Sequence, residues 1–296
     1  MAKGARVVDR GRKSGDGRDG GAFAARLRKE IEGEVLFDRF SRGRYSTDAS
    51  IYQIEPVGVV IPKSAEDITA AIAIAAAEGV PVLPRGGGTS QCGQTVAKAL
   101  VLDTSKYLKN VLKIDTDARR ATVEPGIVLD RLNAILEPHG LFFPVDPSTA
   151  SRATIGGMAG NNSCGARSIR YGNMVHNVRA IDAVLADGER MRFAETPADL
   201  ERVGGPARYQ ALVRRMRSLG EREAGEIAAR FPKLLRRVGG YNIDTLGPGG
   251  TTWPISWSAP RARSGSSRGS SSICSRSWPT ACSAFATSSV SKTRWR

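Results

Sequence analysis

The sequence predicts an α+β fold that is incomplete at its C-terminal end, and three observations carry that expectation. A strand–helix–strand unit over residues 57–83 runs into three consecutive glycines, an Asp187-Gly188 hairpin signal separates two apolar segments, and after Gly250 every periodic pattern stops.

Each element follows from local chemistry. Residues 1–20 are rich in Gly, Arg, Lys and Asp with almost no large apolar side chain, so burial cannot offset their ordering entropy and a disordered arm is expected. The same residues lack the apolar core of a secretory signal. In the lead-in, residues 21–55, Phe23, Leu27 and Ile31 fall on one face of a short helix, and Val35, Leu36 and Phe37 follow as an apolar connection. Val57, Val59, Val60 and Ile61 read as a buried strand. Ser64 and Asp67 have capping-box spacing, so a helix follows through Ile68, Ile72 and Ala75 and stops at Gly79. Residues 80–83 return as a strand, which delivers the glycines at its carboxyl end, where open α/β sheets place ligands. Residues 100–103, 111–115 and 121–124 read as strands, the last two joined by a turn at Thr116-Asp117-Ala118. Residues 127–136 form a helix closed by Gly140, and His139 beside it is a turn residue. Residues 178–185 and 191–193 make a hairpin. From 197 to 237 the sequence is charged and helix-favouring, with Leu200, Leu212, Met216, Leu219 and Ile227 recurring and Arg214-Arg215 and Arg236-Arg237 on solvated faces.

Bulk properties exclude several classes. The 296 residues are 41% hydrophobic, ordinary for one large core or two modest ones. The longest apolar run, residues 70–77, is far short of the ~18 residues of a membrane span, and a cytoplasmic protein, or one peripheral to the inner membrane, is expected. The net charge of +15 raises nucleic-acid binding, but seven Lys and Arg with no acid fall in residues 251–296, which leaves +8 for the rest. Those charges are spread out and show no aromatic interleaving, so no nucleic-acid partner is expected. Cys92, Cys164, Cys274 and Cys282 form no CxxC pair and have no histidine at ligand spacing, so no metal is expected.

Two stretches carry the chemistry. In Pro84-Arg85-Gly86-Gly87-Gly88-Thr89-Ser90-Gln91-Cys92-Gly93-Gln94 the backbone itself is the working surface: successive N–H groups can form a concave anion nest, with the Thr89 and Ser90 hydroxyls at its rim. Taken alone, this loop is equally compatible with a tight turn. The second stretch holds Pro147-Ser148-Thr149, then Thr154-Ile155-Gly156-Gly157-Met158-Ala159-Gly160-Asn161-Asn162-Ser163-Cys164-Gly165, then Tyr171-Gly172. Its small residues let a backbone lie against a flat, bulky ligand, and Thr154, Asn161, Asn162 and Ser163 offer hydrogen bonds.

Together the two stretches resemble the FAD-binding domain of the vanillyl-alcohol oxidase family, the PCMH-type flavin domain, over residues 45–195. The approach Arg44-Tyr45-Ser46-Thr47-Asp48-Ala49-Ser50-Ile51-Tyr52 is similar to that of D-2-hydroxyacid dehydrogenases with an additional iron–sulfur domain. The resemblance implies two α/β subdomains over residues 56–196, a helical insertion at 197–238 and a return to the flavin domain at 239–250. It implies noncovalent FAD. Gly86, Gly87, Gly88, Thr89 and Ser90 would serve the pyrophosphate, with Pro84, Arg85, Gly93 and Gln94 also on the cofactor. Thr154, Gly156, Gly157, Gly160, Asn161, Asn162, Ser163 and Gly165 would lie along the ribityl chain and ring, with Pro147, Ser148, Thr149, Tyr171, Gly172 and Val178 also on the cofactor. Covalently flavinylated relatives place a histidine beside the first glycines, where Thr89 stands here, and Cys92 and Cys164 read as small packing residues. His176 stands where the family usually has an acid and receives no catalytic role.

The implied activity is oxidation of a D-2-hydroxy acid such as D-lactate, glycolate or D-2-hydroxyglutarate to the 2-oxo acid, with hydride passing to flavin N5. In the family the proton-abstracting histidine, the substrate carboxylate's ligands and any iron–sulfur cluster belong to the C-terminal part, so no catalytic residue is carried over. Two alternatives compete. A flavoenzyme like UDP-N-acetylenolpyruvoylglucosamine reductase shares the first loop but not the approach or the insertion; the other is a nonenzymatic flavin-binding or misfolded remnant. Read from the third base of the Thr251 codon, nucleotides able to encode TTWPISWSAPRARS also spell NLAHLLVGSEGTL, whose GSEGTL resembles the next flavin-domain motif. A frameshift near residues 246–250 is therefore expected, with the last part of the flavin domain, the substrate domain and any iron–sulfur domain missing.

Overall fold

The computed structural model describes residues 20–197, 199–234 and 241–246. The expected N-terminal arm up to Asp19, Arg236-Arg237, most of the return segment 239–250 and the tail with its frameshift lie outside the described residues.

The first half is a four-stranded sheet with helices on one face. Helix α1 (Gly20–Glu30) leads into strand β1 (Glu34–Leu36), so the apolar connection expected at residues 35–37 is largely an edge strand, antiparallel to β2. A short helix α2 (Arg39–Arg44), capped by Asp38, precedes β2 (Gly58–Ile61), α3 (Ala65–Ala77), β3 (Val82–Arg85) and β4 (Leu100–Asp103). The order is β1-β2-β4-β3, with β2, β4 and β3 parallel, so the crossover through α3 leaves a gap that β4 fills. Both inner strands are buried at every position, which is why GVVI and LVLD read as unbroken apolar runs rather than alternations. Alternate residues still divide the work. Val60, Leu100 and Leu102 pack with Phe23, Leu27, Ile68 and Ile72, while Val59, Ile61 and Val101 pack with Tyr45 on the opposite face.

Half of the expected capping box forms. Ser64 Oγ accepts from the Asp67 amide at 3.1 Å, but the buried Asp67 carboxylate turns away from the helix start. It accepts from the amides of Glu32, Gly33 and Lys63 at 2.9, 3.0 and 2.8 Å. Three unpaired donors outcompete one, and the result ties the α1–β1 connection to the β2–α3 connection.

The second half holds two antiparallel hairpins, β5 (Val111–Asp115) with β6 (Arg120–Val123), and β7 (Ala180–Val184) with β8 (Arg190–Ala194). Between them lie α4 (Leu129–Leu136), closed by Gly140 in the left-handed region, and three short helices, α5 (Ile155–Gly160), α6 (Ser168–Tyr171) and α7 (Met174–Asn177). One core joins Val123, Ile127, Leu132, Phe143, Ile155 and Met174. Helices α8 (Ala207–Arg222) and α9 (Ala224–Arg230) occupy the charged region. Tyr209, Val213 and Met216 of α8 enter the same core, the Tyr209 ring standing edge-on to Phe193 at 5.9 Å. Arg208 reaches the hairpin turn, pairing with Asp187 and Glu189.

Candidate functional site

A cleft of ≈ 470 Å³ opens between the two halves, at the carboxyl end of β3, within the size range of small-molecule and cofactor sites. The β3–β4 ladder ends where the Thr104 amide donates to Arg85 O at 3.1 Å. Beyond it the backbone amides of residues 86–91 donate to no acceptor among the described residues. Six consecutive open donors on a cleft wall are available to an acceptor from outside the protein, water or a bound anion.

Close approach explains the glycines. A Cβ on Gly86 would lie 2.2 Å from Thr154 Oγ1, and one on Gly87 would lie 2.2 Å from Arg152 O. The first loop is thus pressed directly onto the second stretch, and both face one cleft.

The N-terminal approach fixes the loop from the other side. The Ala49 amide donates to Gly88 O at 3.1 Å. Arg85 donates through Nη1 to Tyr45 O (3.2 Å) and Thr95 O (3.1 Å), and through Nη2 to Thr47 O (2.8 Å). Its guanidinium therefore clamps backbone, and burial draws its pKa below the ordinary arginine value against the opposing charge of Asp103. The Tyr45 hydroxyl donates to Asp103 Oδ2 at 2.6 Å; burial, reinforced by that carboxylate, raises the phenol's pKa. Asp48 accepts from the Ser50 amide (2.8 Å) and from Thr95 Oγ1 (3.0 Å). Burial pushes its carboxyl up, but the bonds from Ser50 and Thr95 overbalance that and hold it below the usual range.

Two expectations for these stretches change. The Ser90 hydroxyl, expected as a rim donor, donates within its own loop to Gln94 Oε1 (2.9 Å) and accepts from the Cys92 amide (3.3 Å). The Thr154 hydroxyl, expected to offer a hydrogen bond to the ligand, instead caps helix α5, formed by residues 155–160. Its first amides are already used, Ile155 N on Ile127 O (2.9 Å), Gly156 N on Pro125 O (2.8 Å) and Gly157 N on Thr154 Oγ1 (3.4 Å). What α5 offers the cleft is a face of small residues, and a Cβ on Gly160 would meet nothing within 4 Å. At its end, Asn161 Oδ1 is buried without a partner.

The cleft wall collects Pro84, Arg85, Gly86, Gly87, Gly88, Thr89, Ser90, Gln94, Pro147, Ser148, Thr149, Thr154, Gly156, Gly157, Gly160, Asn161 and Ser163. Six expected residues stand off it. Gly93 packs against Tyr52, Gly165 against Asp146, and Gly172 against His176. Asn162 Oδ1 accepts from the Val175 amide, Tyr171 stacks edge-on with Phe142, and Val178 is buried in the core. The sequence reading did not single out the apolar wall of Ile181, Ala183 and Phe193. Its signal was present: Ile181 and Ala183 are two apart on β7, and Phe193 pairs directly with Ile181. Cys92 and Cys164 also line the cleft as free, half-buried thiols. Outside it, His176 Nδ1 accepts from the Asn173 amide at the start of α7. Among the described residues no group of His, Cys, Asp and Glu could hold a metal ion, and no helix is long and apolar enough to cross a membrane.

Comparison with known proteins agrees with this geometry. A family model described as FAD binding domain matches residues 56–194. A D-2-hydroxyglutarate dehydrogenase of Pseudomonas putida is 37% identical over 221 residues, 73% of this chain and 22% of that protein. The glycolate oxidase subunit GlcD of Bacillus subtilis is 38% identical over 169 residues, 55% of this chain and 36% of its own length. The chain thus spans about a fifth of the length of the D-2-hydroxyglutarate dehydrogenase it matches. Among solved structures, alkyldihydroxyacetonephosphate synthase superposes with a TM-score of 0.54 at 21% identity, over 60% of this chain and 38% of its own, a likeness of fold.

Proposed function

We propose that residues 56–194, which match a family model described as FAD binding domain, form a flavin domain of the vanillyl-alcohol oxidase, or PCMH, type, and that the chain holds FAD noncovalently in the cleft and serves the oxidation of a D-2-hydroxy acid. The observation that carries the reading is the run of open amides at residues 86–91 on the cleft wall, a donor set suited to a diphosphate. The rest of the wall fits the same group. Asn161 Oδ1 offers an unused acceptor for a ring N–H, the bare face at Gly160 admits a bulky ligand, and Ile181, Ala183 and Phe193 provide an apolar surface for a planar ring. When bound, FAD supplies the two-electron acceptor for the carbon that bears the substrate hydroxyl. This chain's residues bind and orient it, and Arg85 with the approach segment keeps the donor loop in place.

The substrate class comes from the relatives, whose printed names include D-2-hydroxyglutarate dehydrogenase and glycolate oxidase subunit GlcD. A second reading, FAD binding without turnover, is favoured by the wall itself: its titratable side chains are Arg85, Cys92 and Cys164, none suited as a base for a hydroxyl proton. Purified 296-residue chain mixed with FAD and freed of excess tests both. Retained flavin absorbance at one equivalent per chain, released by denaturation, with dye reduction by D-2-hydroxyglutarate, D-lactate or glycolate, supports the enzyme. Retained flavin without dye reduction supports the second reading, and a folded chain that retains none refutes both.

A further inference from the structure

Arg85 and Asp103 are register partners at the ends of the parallel strands β3 and β4, so their side chains leave the sheet on the same face. Opposite charges so placed attract strongly where little water separates them. Here they do not pair. Asp103 Oδ1 accepts from the Ser105 amide at 2.8 Å and Oδ2 from the Tyr45 hydroxyl at 2.6 Å, and Arg85 makes no ion pair among the described residues. The guanidinium goes instead to the carbonyls of Tyr45, Thr47 and Thr95.

Tyr45 is the residue that comes between them. Its buried ring packs with Val59, Ile61 and Val101, the Arg85 guanidinium lies 5.2 Å from the ring centroid, and its hydroxyl and carbonyl reach Asp103 and Arg85 respectively. Neither Tyr45 nor Asp103 lines the cleft. Arg85 does, and a Cβ on Gly88 would lie 2.8 Å from its Nη2, so the guanidinium sits directly behind the loop that carries the open amides. Without the hydroxyl, Asp103 Oδ2 would be a buried carboxylate oxygen with no donor, an arrangement that folded proteins avoid. The cation beside it on the sheet is Arg85, on which its charge already acts. Drawn to Asp103, Arg85 would release the approach segment, and the loop would lose the clamp that keeps its amides in one concave arrangement.

We infer that Tyr45 is a positioning residue for the cofactor's diphosphate: its hydroxyl occupies Asp103, so that Arg85 stays bonded to the approach segment and the donor loop stays preformed. The identity of the ligand rests on the flavin reading above, but the device itself would serve any diphosphate. A hydroxyl with a merely structural role contributes its hydrogen bond alone, so altering Asp103 as well adds to the damage. The intercepting hydroxyl predicts the opposite, because a neutral side chain at position 103 has no charge with which to draw Arg85 away.

Titration of the purified 296-residue chain and its variants with FAD and with inorganic pyrophosphate, well below their melting temperatures, tests it. Tyr45→Phe is expected to weaken both ligands about tenfold, since the loop must then be ordered at the moment of binding. Tyr45→Phe combined with Asp103→Asn is expected to recover to within about twofold of wild type, a departure from additivity that only coupled residues show. Unchanged affinity in Tyr45→Phe overturns the inference, as does a double variant that binds no better than the single one. A loss confined to FAD, with pyrophosphate unaffected, also overturns it, because the hydroxyl then does not serve the diphosphate. Should Tyr45→Phe fail to fold, the double variant decides: affinity near wild type supports the inference and a loss of about tenfold overturns it. A folded wild type that binds pyrophosphate but not FAD refutes the flavin reading and leaves this comparison to be read on pyrophosphate; one that binds neither refutes both.

Discussion

Gly87 and Gly160 both line the cleft, yet their surroundings differ in a way that separates stability from binding. A methyl group on Gly87 would meet a backbone oxygen at 2.2 Å, whereas one on Gly160 meets no protein atom within 4 Å. Gly87→Ala is expected to force the two stretches apart, lowering stability by about 1–3 kcal/mol and FAD affinity with it. Gly160→Ala is expected to leave the free chain unchanged or stabilise it by up to about 1 kcal/mol, since alanine suits a helix better than glycine, while still weakening FAD binding. Thermal melts with and without FAD read both effects. Asp48 gives a pH signature at the same rim. Its folded-state carboxyl titrates below the unfolded value, so the tie to Ser50 and Thr95 contributes fully above about pH 4 and is lost as pH falls through the lower folded pKa. Acid unfolding monitored by circular dichroism should show that loss in the wild type, and Asp48→Asn should flatten it.

At the scale of elements, the readable parts were those whose signal is local. The apolar runs of β2 and β4, the Asp187-Gly188 turn and the stop at Gly140 all place elements within two residues of where they stand. Three features escaped because their cause lies elsewhere in the chain. Strand β4 enters between β2 and β3, a pairing that no window of sequence encodes. The run Ile155-Gly156-Gly157-Met158-Ala159-Gly160 has poor helix propensity and no element is expected there; it is helical, with Ile127 O and Pro125 O accepting its first amides and Ile155 and Met158 buried. The carboxylate of Asp67 has capping-box spacing but serves residues 32 and 33, more than thirty positions away. The two stretches that line the cleft were legible only together, through their joint resemblance to a flavin domain, since a glycine-rich loop alone also serves a tight turn. The apolar wall from β7 and β8 was not, because core strands and ligand-facing strands share one pattern.

Across the whole molecule, the two halves contribute different kinds of surface to a single cleft. The sheet half brings backbone donors at the end of β3, and the second half brings the small face of α5 and the apolar face of the β7–β8 hairpin. Neither surface alone would select a dinucleotide. Contact between Gly86 and Thr154, and between Gly87 and Arg152, sets their spacing, so cofactor binding and the docking of the halves are expected to be linked. The most direct test is hydrogen exchange of the individual amides in the 296-residue chain with and without FAD. The account predicts fast exchange at residues 86–91 in the free chain and marked slowing there when FAD is held, with residues 155–157, already bonded internally, little changed. A chain shown to retain FAD whose amides at 86–91 exchange as fast as before would contradict it.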